Sequence, residues 1–172
     1  MYLTILDLIL ILVLFLFIAF GFALGLVETI GALVGVILGA WAAGAYYEPM
    51  GAWLEPFLLG NGNLARIVAF ILVFTIINRL IGLVFWFVNK IFNVVTLIPF
   101  TKSLNRFLGA ILGLLEGVLV LGLILYFVSR FISADWLISV LASSKMAIIL
   151  IDISSILTPL LPELLKQLKS VI

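Results

Sequence analysis

The chain has 172 residues, of which 66% are hydrophobic and only 10% are charged. A water-soluble domain of this size cannot bury so much apolar surface, because much of a folded domain stays in contact with water. The net charge of +1 gives no basic footprint for nucleic acid. Cysteine and histidine are both absent, which excludes disulfides and removes the commonest general base and metal ligand. These features predict an all-α integral membrane protein with no cofactor and no bound metal.

The first apolar stretch lies near the N-terminus and has to be distinguished from a signal peptide. It runs from Leu8 to Leu26, and Asp7 stands where a signal peptide carries positive charge. The stretch is too long for the apolar region of a signal peptide, and no cleavage site followed by polar sequence is visible. We expect it to be a retained first span.

Long apolar segments predict four membrane-spanning helices, since a span needs roughly 20 predominantly apolar residues. Gly21 and Gly25 permit a break between the first two segments, and so short a link predicts an antiparallel hairpin. Together these segments predict a transmembrane domain over residues 1–132, with spans at about residues 3–24, 30–47, 67–87 and 107–128.

The region between the second and third predicted spans has the composition of a loop. Pro49, Pro56 and the cluster Gly60–Asn63 punctuate residues 48–63. Trp53 and the neighbouring tyrosines suit the membrane–water interface, where aromatic rings collect. Basic residues occur both between the third and fourth spans and in the tail, so the positive-inside rule leaves the membrane orientation open.

Residues 133–172 change character and predict an amphipathic tail rather than a further span. Polar residues interrupt the apolar pattern, while leucines recur on one helical face, as in a helix that lies on the bilayer. A re-entrant segment over residues 146–157 is the alternative. The residues expected at the interface are Trp136, Leu161, Leu164, Leu165 and Leu168.

Glycine recurs at every fourth position in two of the predicted spans. Residues four apart lie on one helical face, so each set forms a groove where another backbone can approach closely. Such grooves serve helix packing within one subunit or an interface between subunits, and the sequence leaves both readings open. The glycines are Gly31, Gly35 and Gly39 in the second span, and Gly109, Gly113 and Gly117 in the fourth.

Polar residues lie in register with these glycines and give three of the spans a stripe of small and polar side chains. The stripes are expected to converge on the interior of the bundle. The polar members are Asp7 in the first span, Glu28 at the start of the second, and Asn105, Arg106 and Glu116 in the fourth.

Two charges lie deep in the predicted membrane domain. Arg79, beside Asn78, is near the middle of the third span, and Glu116 is near the middle of the fourth. A charge at the bilayer centre costs about 2.5–3.5 kcal/mol on insertion scales. We therefore predict that Arg79 and Glu116 face each other or share a water-filled cavity. The pair then either fixes helix register only or contributes to a pore or relay.

No catalytic motif supports an enzyme. The chain contains no nucleophile elbow, no phosphate-binding loop and no dinucleotide-binding fingerprint, and it shows no metal-ligand spacing. The aspartates lie near span ends or in the tail, away from any paired position within the membrane. The sequence predicts a protein without enzymatic activity.

The order of these features resembles the colicin V production protein family (CvpA-like). The resemblance rests on Asp7, the turn Gly25-Leu26-Val27-Glu28, the two glycine-rich segments of the fourth span (residues 105–110 and 113–118), and Trp136 followed by serines. Three positions differ: Asn105 replaces an acidic residue of the family pattern, while Glu116 and Glu28 stand where the family has arginine. Roles of those arginines therefore do not transfer to this chain.

The resemblance implies a small non-enzymatic protein of the bacterial inner membrane, linked to toxin production or export and to envelope homeostasis. One hypothesis is a scaffold or accessory factor whose partners are the lipid bilayer, a second copy of the chain or other membrane proteins. The alternative is a small oligomeric channel or transporter whose polar path is lined by Arg79, Glu116 and Glu28.

Overall fold

The computed structural model describes residues 4–92, 101–131 and 135–160. Within these ranges the chain is helical, and four helices are long and apolar enough to cross a membrane, as the sequence predicted. The α-helices are α1 (Ile5–Leu24), α2 (Leu26–Leu54), α3 (Gly62–Phe92), α4 (Thr101–Phe131), α5 (Asp135–Ser143) and α6 (Lys145–Ser154). Two 3₁₀ helices, Glu55–Leu58 and Ser155–Leu160, extend α2 and α6.

A single glycine separates α1 from α2. The Gly25 N–H donates to the Gly21 carbonyl at 2.8 Å, and Gly25 has a φ of 86°, a region that residues with a side chain rarely adopt. Glycine at this position therefore ends α1 and lets α2 begin at the next residue. This is the break that the sequence predicted.

The second span extends further than predicted, so the predicted loop at residues 48–63 is wrong over much of its length. α2 continues through Pro49 to Leu54, and the 3₁₀ helix carries the chain to Leu58. The turn is confined to the next few residues, where Leu59 and Gly60 have φ values of 57° and 74°. Proline weakens a helix by removing one hydrogen bond. Here α2 stays helical after Pro49 because its last turns pack on α3.

That packing is visible at Gly51, which is buried against the first turns of α3. A methyl group placed on Gly51 would lie 3.2 Å from the Cα of Arg66. Contacts of this kind come from another part of the chain, and they outweigh the local tendency of proline and glycine to end a helix.

α1 and α4 pack antiparallel. Near the end of α1, Gly21 lies against Gly113, while Gly25, four residues later, lies against Asn105, which is earlier in α4. α1 packs chiefly on α4 rather than on α2. Since α2 runs parallel to α4, as described below, α1 and α2 are antiparallel, as predicted. However, α1 packs mainly on α4 and α2 packs mainly on α3.

α2 and α3 form the second antiparallel pair. Gly31 near the start of α2 lies against Phe85 late in α3, and Gly51 near the end of α2 lies against Arg66 early in α3. This is the most extensive helix pair in the part of the chain that the structure describes.

α4 runs parallel to α2 and joins the two pairs. The start of α4 contacts the start of α2, where the Leu26 N–H donates to the Asn105 side chain at 3.1 Å. The other ends of α2 and α4 meet through aromatic rings. The Phe127 ring stacks on Phe70 of α3 with 3.9 Å between ring centroids, and it packs edge-to-face with Tyr47 of α2 with 5.2 Å between centroids. An aromatic cluster therefore closes the bundle at the end away from Gly25.

α5 and α6 fold back onto the bundle with a bend of 88° between them. Ser144 stands at the bend and caps α6, because its side chain accepts from the Ala147 N–H at 3.1 Å. α6 packs across α4, where a methyl group on Gly122 would lie 2.7 Å from the Cβ of Ser154. This bent pair has the geometry of a broken span or a re-entrant loop.

The predicted tail is described only in part. α6 covers most of the segment for which the sequence allowed a re-entrant path, and Trp136 on α5 is 68% exposed. The predicted interfacial positions Leu161, Leu164, Leu165 and Leu168 lie outside the described residues.

Candidate functional site

At the α1–α4 seam the backbones of the two helices lie against each other. Gly109 lies against both Gly21 and Gly25, and a methyl group on Gly109 would be 2.7 Å from the Gly25 Cα. A methyl group on Gly113 would be 3.1 Å from the Gly21 Cα, and one on Gly117 would meet the ring of Phe17 at 2.8 Å. Gly109 and Gly113 thus lie directly against the α1 backbone, with no room for a side chain between them, while Gly117 accommodates the ring of Phe17.

The α2–α3 seam uses the other set of glycines, but it meets side chains as well as backbone. Gly31 lies under Phe85, and Gly35 lies under Asn78. A methyl group on Gly39 would be 3.1 Å from the Phe74 carbonyl oxygen. The Asn78 side chain therefore faces α2 at mid-span rather than lipid.

The two seams are separate, which corrects the expectation that all glycine stripes converge on one interior. The α4 stripe receives α1 and the α2 stripe receives α3, because α1 and α3 pack on different sides of the α2–α4 pair. Both grooves are occupied by helices of the same chain.

The junction between α1 and α2 is held by the start of α4. The side-chain oxygen of Asn105 accepts from the Leu26 N–H, and its amide group lies against Gly25. Buried Thr29 adds a hydrogen bond of 2.7 Å to the Gly25 carbonyl. Asn105 thus caps α2 from another helix and supplies one of the partners that a helix N-terminus lacks.

Two charged residues flank this junction. Glu28 lies in the first turn of α2, where a negative charge complements the helix dipole, and its side chain is partly buried. The Arg106 guanidinium is exposed and lies 5.8 Å from the ring centroid of Phe22 on α1. The predicted polar residues at this end thus surround the glycine junction.

Arg79 and Glu116 lie at the middle of their spans on different helices. Arg79 is exposed in the isolated chain and Glu116 is partly buried. The Arg79 charge acts on the Glu116 carboxylate, yet these two described side chains make no ion pair within 4 Å. Their direct pairing within one chain remains a prediction.

The Asp7 carboxylate is the centre of a hydrogen-bond network, called the Asp7 node below, that the sequence did not predict. One carboxylate oxygen accepts from the backbone N–H and the hydroxyl of Thr4, both at 2.8 Å. The other accepts from the Ser144 hydroxyl at 2.7 Å and from the Met146 N–H at 3.0 Å. Asp7 is 2% exposed and Ser144 is fully buried. The node ties the first turn of α1 to the bend before α6.

Only the local part of this node, the contact between Thr4 and Asp7, could be predicted from the sequence. Thr4 and Asp7 have the spacing of a capping box, and the structure shows that box at the start of α1. Ser144 lies 137 residues away from Asp7, so their contact depends on how α5 and α6 fold back.

The hydrogen bonds of Asp7 and Asn105 join separate parts of the chain. Both oxygens of the Asp7 carboxylate accept hydrogen bonds from other residues of the chain. Among the described residues no three His, Cys, Asp or Glu side chains are grouped so as to hold a metal ion.

Comparisons with known proteins agree with this membrane architecture. The family model for the colicin V production protein matches residues 6–155. A Bacillus subtilis (strain 168) protein described as "Uncharacterized transmembrane protein YshB" is 32% identical over 113 residues, which is 64% of this chain and 61% of that protein. The match thus spans about three-fifths of the relative's length. No solved structure matches. The chain is a multi-pass membrane protein and belongs to the colicin V production protein family.

Proposed function

We propose that the protein is a non-enzymatic scaffold or accessory factor of the bacterial inner membrane, associated with toxin production or export and with envelope homeostasis. The observation that carries this proposal is the closure of both glycine grooves by helices of the same chain. A bundle packed backbone to backbone presents a fixed outer surface and leaves little room for a solute between α1 and α4.

The outer surface supplies the contacts that a scaffold uses. α1 carries large exposed apolar side chains, among them Leu12, Phe15 and Phe20, which suit lipid or another spanning helix. Trp53 near the end of α2 and Phe57 in the 3₁₀ helix after it are exposed, with ring centroids 5.5 Å apart, and they suit the interface region. The docked α5–α6 segment extends this surface along α4.

A channel or transporter is the second candidate, and one specific observation favours it. Arg79 and Glu116 place charge at mid-span, where charge is costly and marks ion or substrate paths in many membrane proteins. Glu28 lies nearer the membrane surface, at the start of α2. A path of this kind would need space between α3 and α4.

Ion flux in reconstituted vesicles separates the two candidates. Purified protein is placed in liposomes, and potassium and proton flux are followed with entrapped indicators beside protein-free liposomes. The scaffold predicts no flux above the protein-free rate. Flux that is lost in Glu116→Gln, but kept in Glu48→Gln at an exposed site, contradicts the scaffold and supports the channel.

The link to toxin export is tested in cells. Colicin V release is measured from producing cells that lack their own member of the family, with and without this chain. The proposal predicts that the wild-type chain restores release and that Gly109→Ala, which disrupts the α1–α4 seam, does so poorly. Equal release with and without the chain contradicts this part of the proposal.

A further inference from the structure

Arg79 and Glu116 lie at the same depth in the membrane. Asn78, next to Arg79, packs against Gly35 of α2. α2 and α4 run parallel, and the contacts Leu26–Asn105 and Tyr47–Phe127 fix their alignment. That alignment places Glu116 at the same depth as the part of α2 around Gly35. Both charges therefore lie near the centre of the bilayer.

The fold of one chain leaves both charges incompletely compensated. Arg79 is exposed on α3, where its neighbours Ile76, Leu80 and Leu83 are exposed as well and suit an apolar membrane environment. Glu116 is partly exposed and is more than 4 Å from the Arg79 guanidinium. An exposed arginine facing lipid at this depth is unfavourable. A binding partner on the α3 face around Arg79 that supplies a negative charge at the same depth would therefore stabilise it.

We propose that this binding partner is a second copy of this chain, bound so that Arg79 of each copy pairs with Glu116 of the other. A two-fold axis parallel to the membrane normal keeps every residue at its own depth. It therefore allows Arg79 of one copy to meet Glu116 of the other at the same depth, and the reverse pair then forms at the same time. The pairing uses the α3 face around Arg79, and it leaves the two glycine seams within each chain unchanged.

This dimer does not depend on the scaffold role or on colicin V release. A scaffold can act as a monomer, and a channel can be built from other oligomers. The proposal concerns only which residues meet across the interface and at which depth.

Charge reversal in two separate chains tests the proposal. The chain Arg79→Glu carries glutamate at both positions, and Glu116→Arg carries arginine at both. Neither is expected to form homodimers. When the two variants with different affinity tags are expressed together, every contact across the interface joins opposite charges. Co-purification of the two tags from lipid nanodiscs is therefore expected to return to the wild-type level.

Controls separate this result from pairing inside one chain. The double variant Arg79→Glu/Glu116→Arg is expected to dimerise like the wild type, since its reversed charges still meet. Arg106→Glu expressed with Glu116→Arg tests whether any two oppositely altered chains associate. This mixed pair is expected to fall below the wild type by about tenfold or more, because one interface contact joins two arginines.

Two outcomes overturn the proposal. One is a wild-type chain that stays monomeric in nanodiscs, since Arg79 would then have no partner from a second copy. The other is rescue by the double variant without rescue by the two co-expressed chains, which would place the pair inside one chain.

Discussion

Asp7 shows how a buried charge is accommodated at the start of an apolar helix. Four donors surround its carboxylate, from Thr4 on one side and from Ser144 and Met146 on the other. Hydrogen bonds to a charged group contribute more than neutral ones, about 1.5–3 kcal/mol each. The same bonds hold the α5–α6 bend against α1, so the residue serves two elements at once.

Replacing Asp7 by asparagine tests this role. The amide keeps one acceptor oxygen but turns an NH₂ group toward two of the four donors, so those hydrogen bonds are lost. We expect the docking of α6 to weaken by about 2 kcal/mol, which corresponds to roughly 30-fold faster amide hydrogen exchange in α6.

Asp152→Asn is the matched control, because Asp152 is an exposed carboxylate on α6 itself. It removes the same charge without breaking the node, so exchange is expected to stay at the wild-type rate. An Asp7→Asn variant whose α6 amides exchange like the wild type would contradict the assignment of Asp7 as the residue that holds the bend.

At this scale the sequence identified residue types but not their partners. Asp7 and Asn105 were both singled out by position in a helix. Their partners Ser144 and Leu26 lie on other elements, 137 and 79 residues away. Such contacts depend on helix packing, which helical periodicity does not specify.

Among the elements, the α1–α4 seam depends most on the absence of side chains. Gly109 and Gly113 meet the α1 backbone directly, and α4 in turn positions the start of α2 through Asn105. In a membrane, packing of small residues takes over much of the role that the hydrophobic effect has in water. A change in this seam therefore acts on more than one helix pair.

The substitution Gly109→Ala tests the seam. Its methyl group would lie 2.7 Å from the Gly25 Cα, so α1 has to move away. Overpacking of this kind costs about 1–3 kcal/mol, and we expect a loss of that size in the free energy of unfolding measured by titration with a denaturing detergent.

Gly82→Ala on α3 is the matched control, since nothing lies within 4 Å of the position where its methyl group would be. Alanine favours a helix over glycine by about 1 kcal/mol, so this variant is expected to be neutral or slightly more stable. Equal losses for the two variants would contradict the role of the seam, because a methyl group would then destabilise the protein even where it meets no neighbour.

The spans were predictable because hydropathy is a local property of the sequence. The end of α2 was not, because Pro49 and the residues after it have the composition of a loop, while packing of Gly51 on Arg66 keeps them helical. The glycine faces were also visible in advance. Which helix each face receives was not, since neighbours in sequence such as α1 and α2 pack mainly on other helices.

On the scale of the whole molecule, two antiparallel pairs are joined by the parallel contact of α2 and α4. The aromatic cluster around Phe127 closes one end, and Asn105 with Gly25 closes the other. Between these ends Val36 and Leu123 are almost fully buried. The proposed scaffold role rests on this closed interior.

Cysteine accessibility measures that closure directly, and the chain offers a clean background because it has no cysteine. Val36→Cys lies at the level of Glu116, and Asn61→Cys lies in the exposed turn before α3. A water-soluble maleimide is applied to both sides of membranes that contain each variant. A closed interior predicts labelling of Asn61→Cys and none of Val36→Cys until the protein is denatured. Labelling of Val36→Cys in the folded protein at a rate comparable to Asn61→Cys would reveal a water-filled path and contradict the closed scaffold.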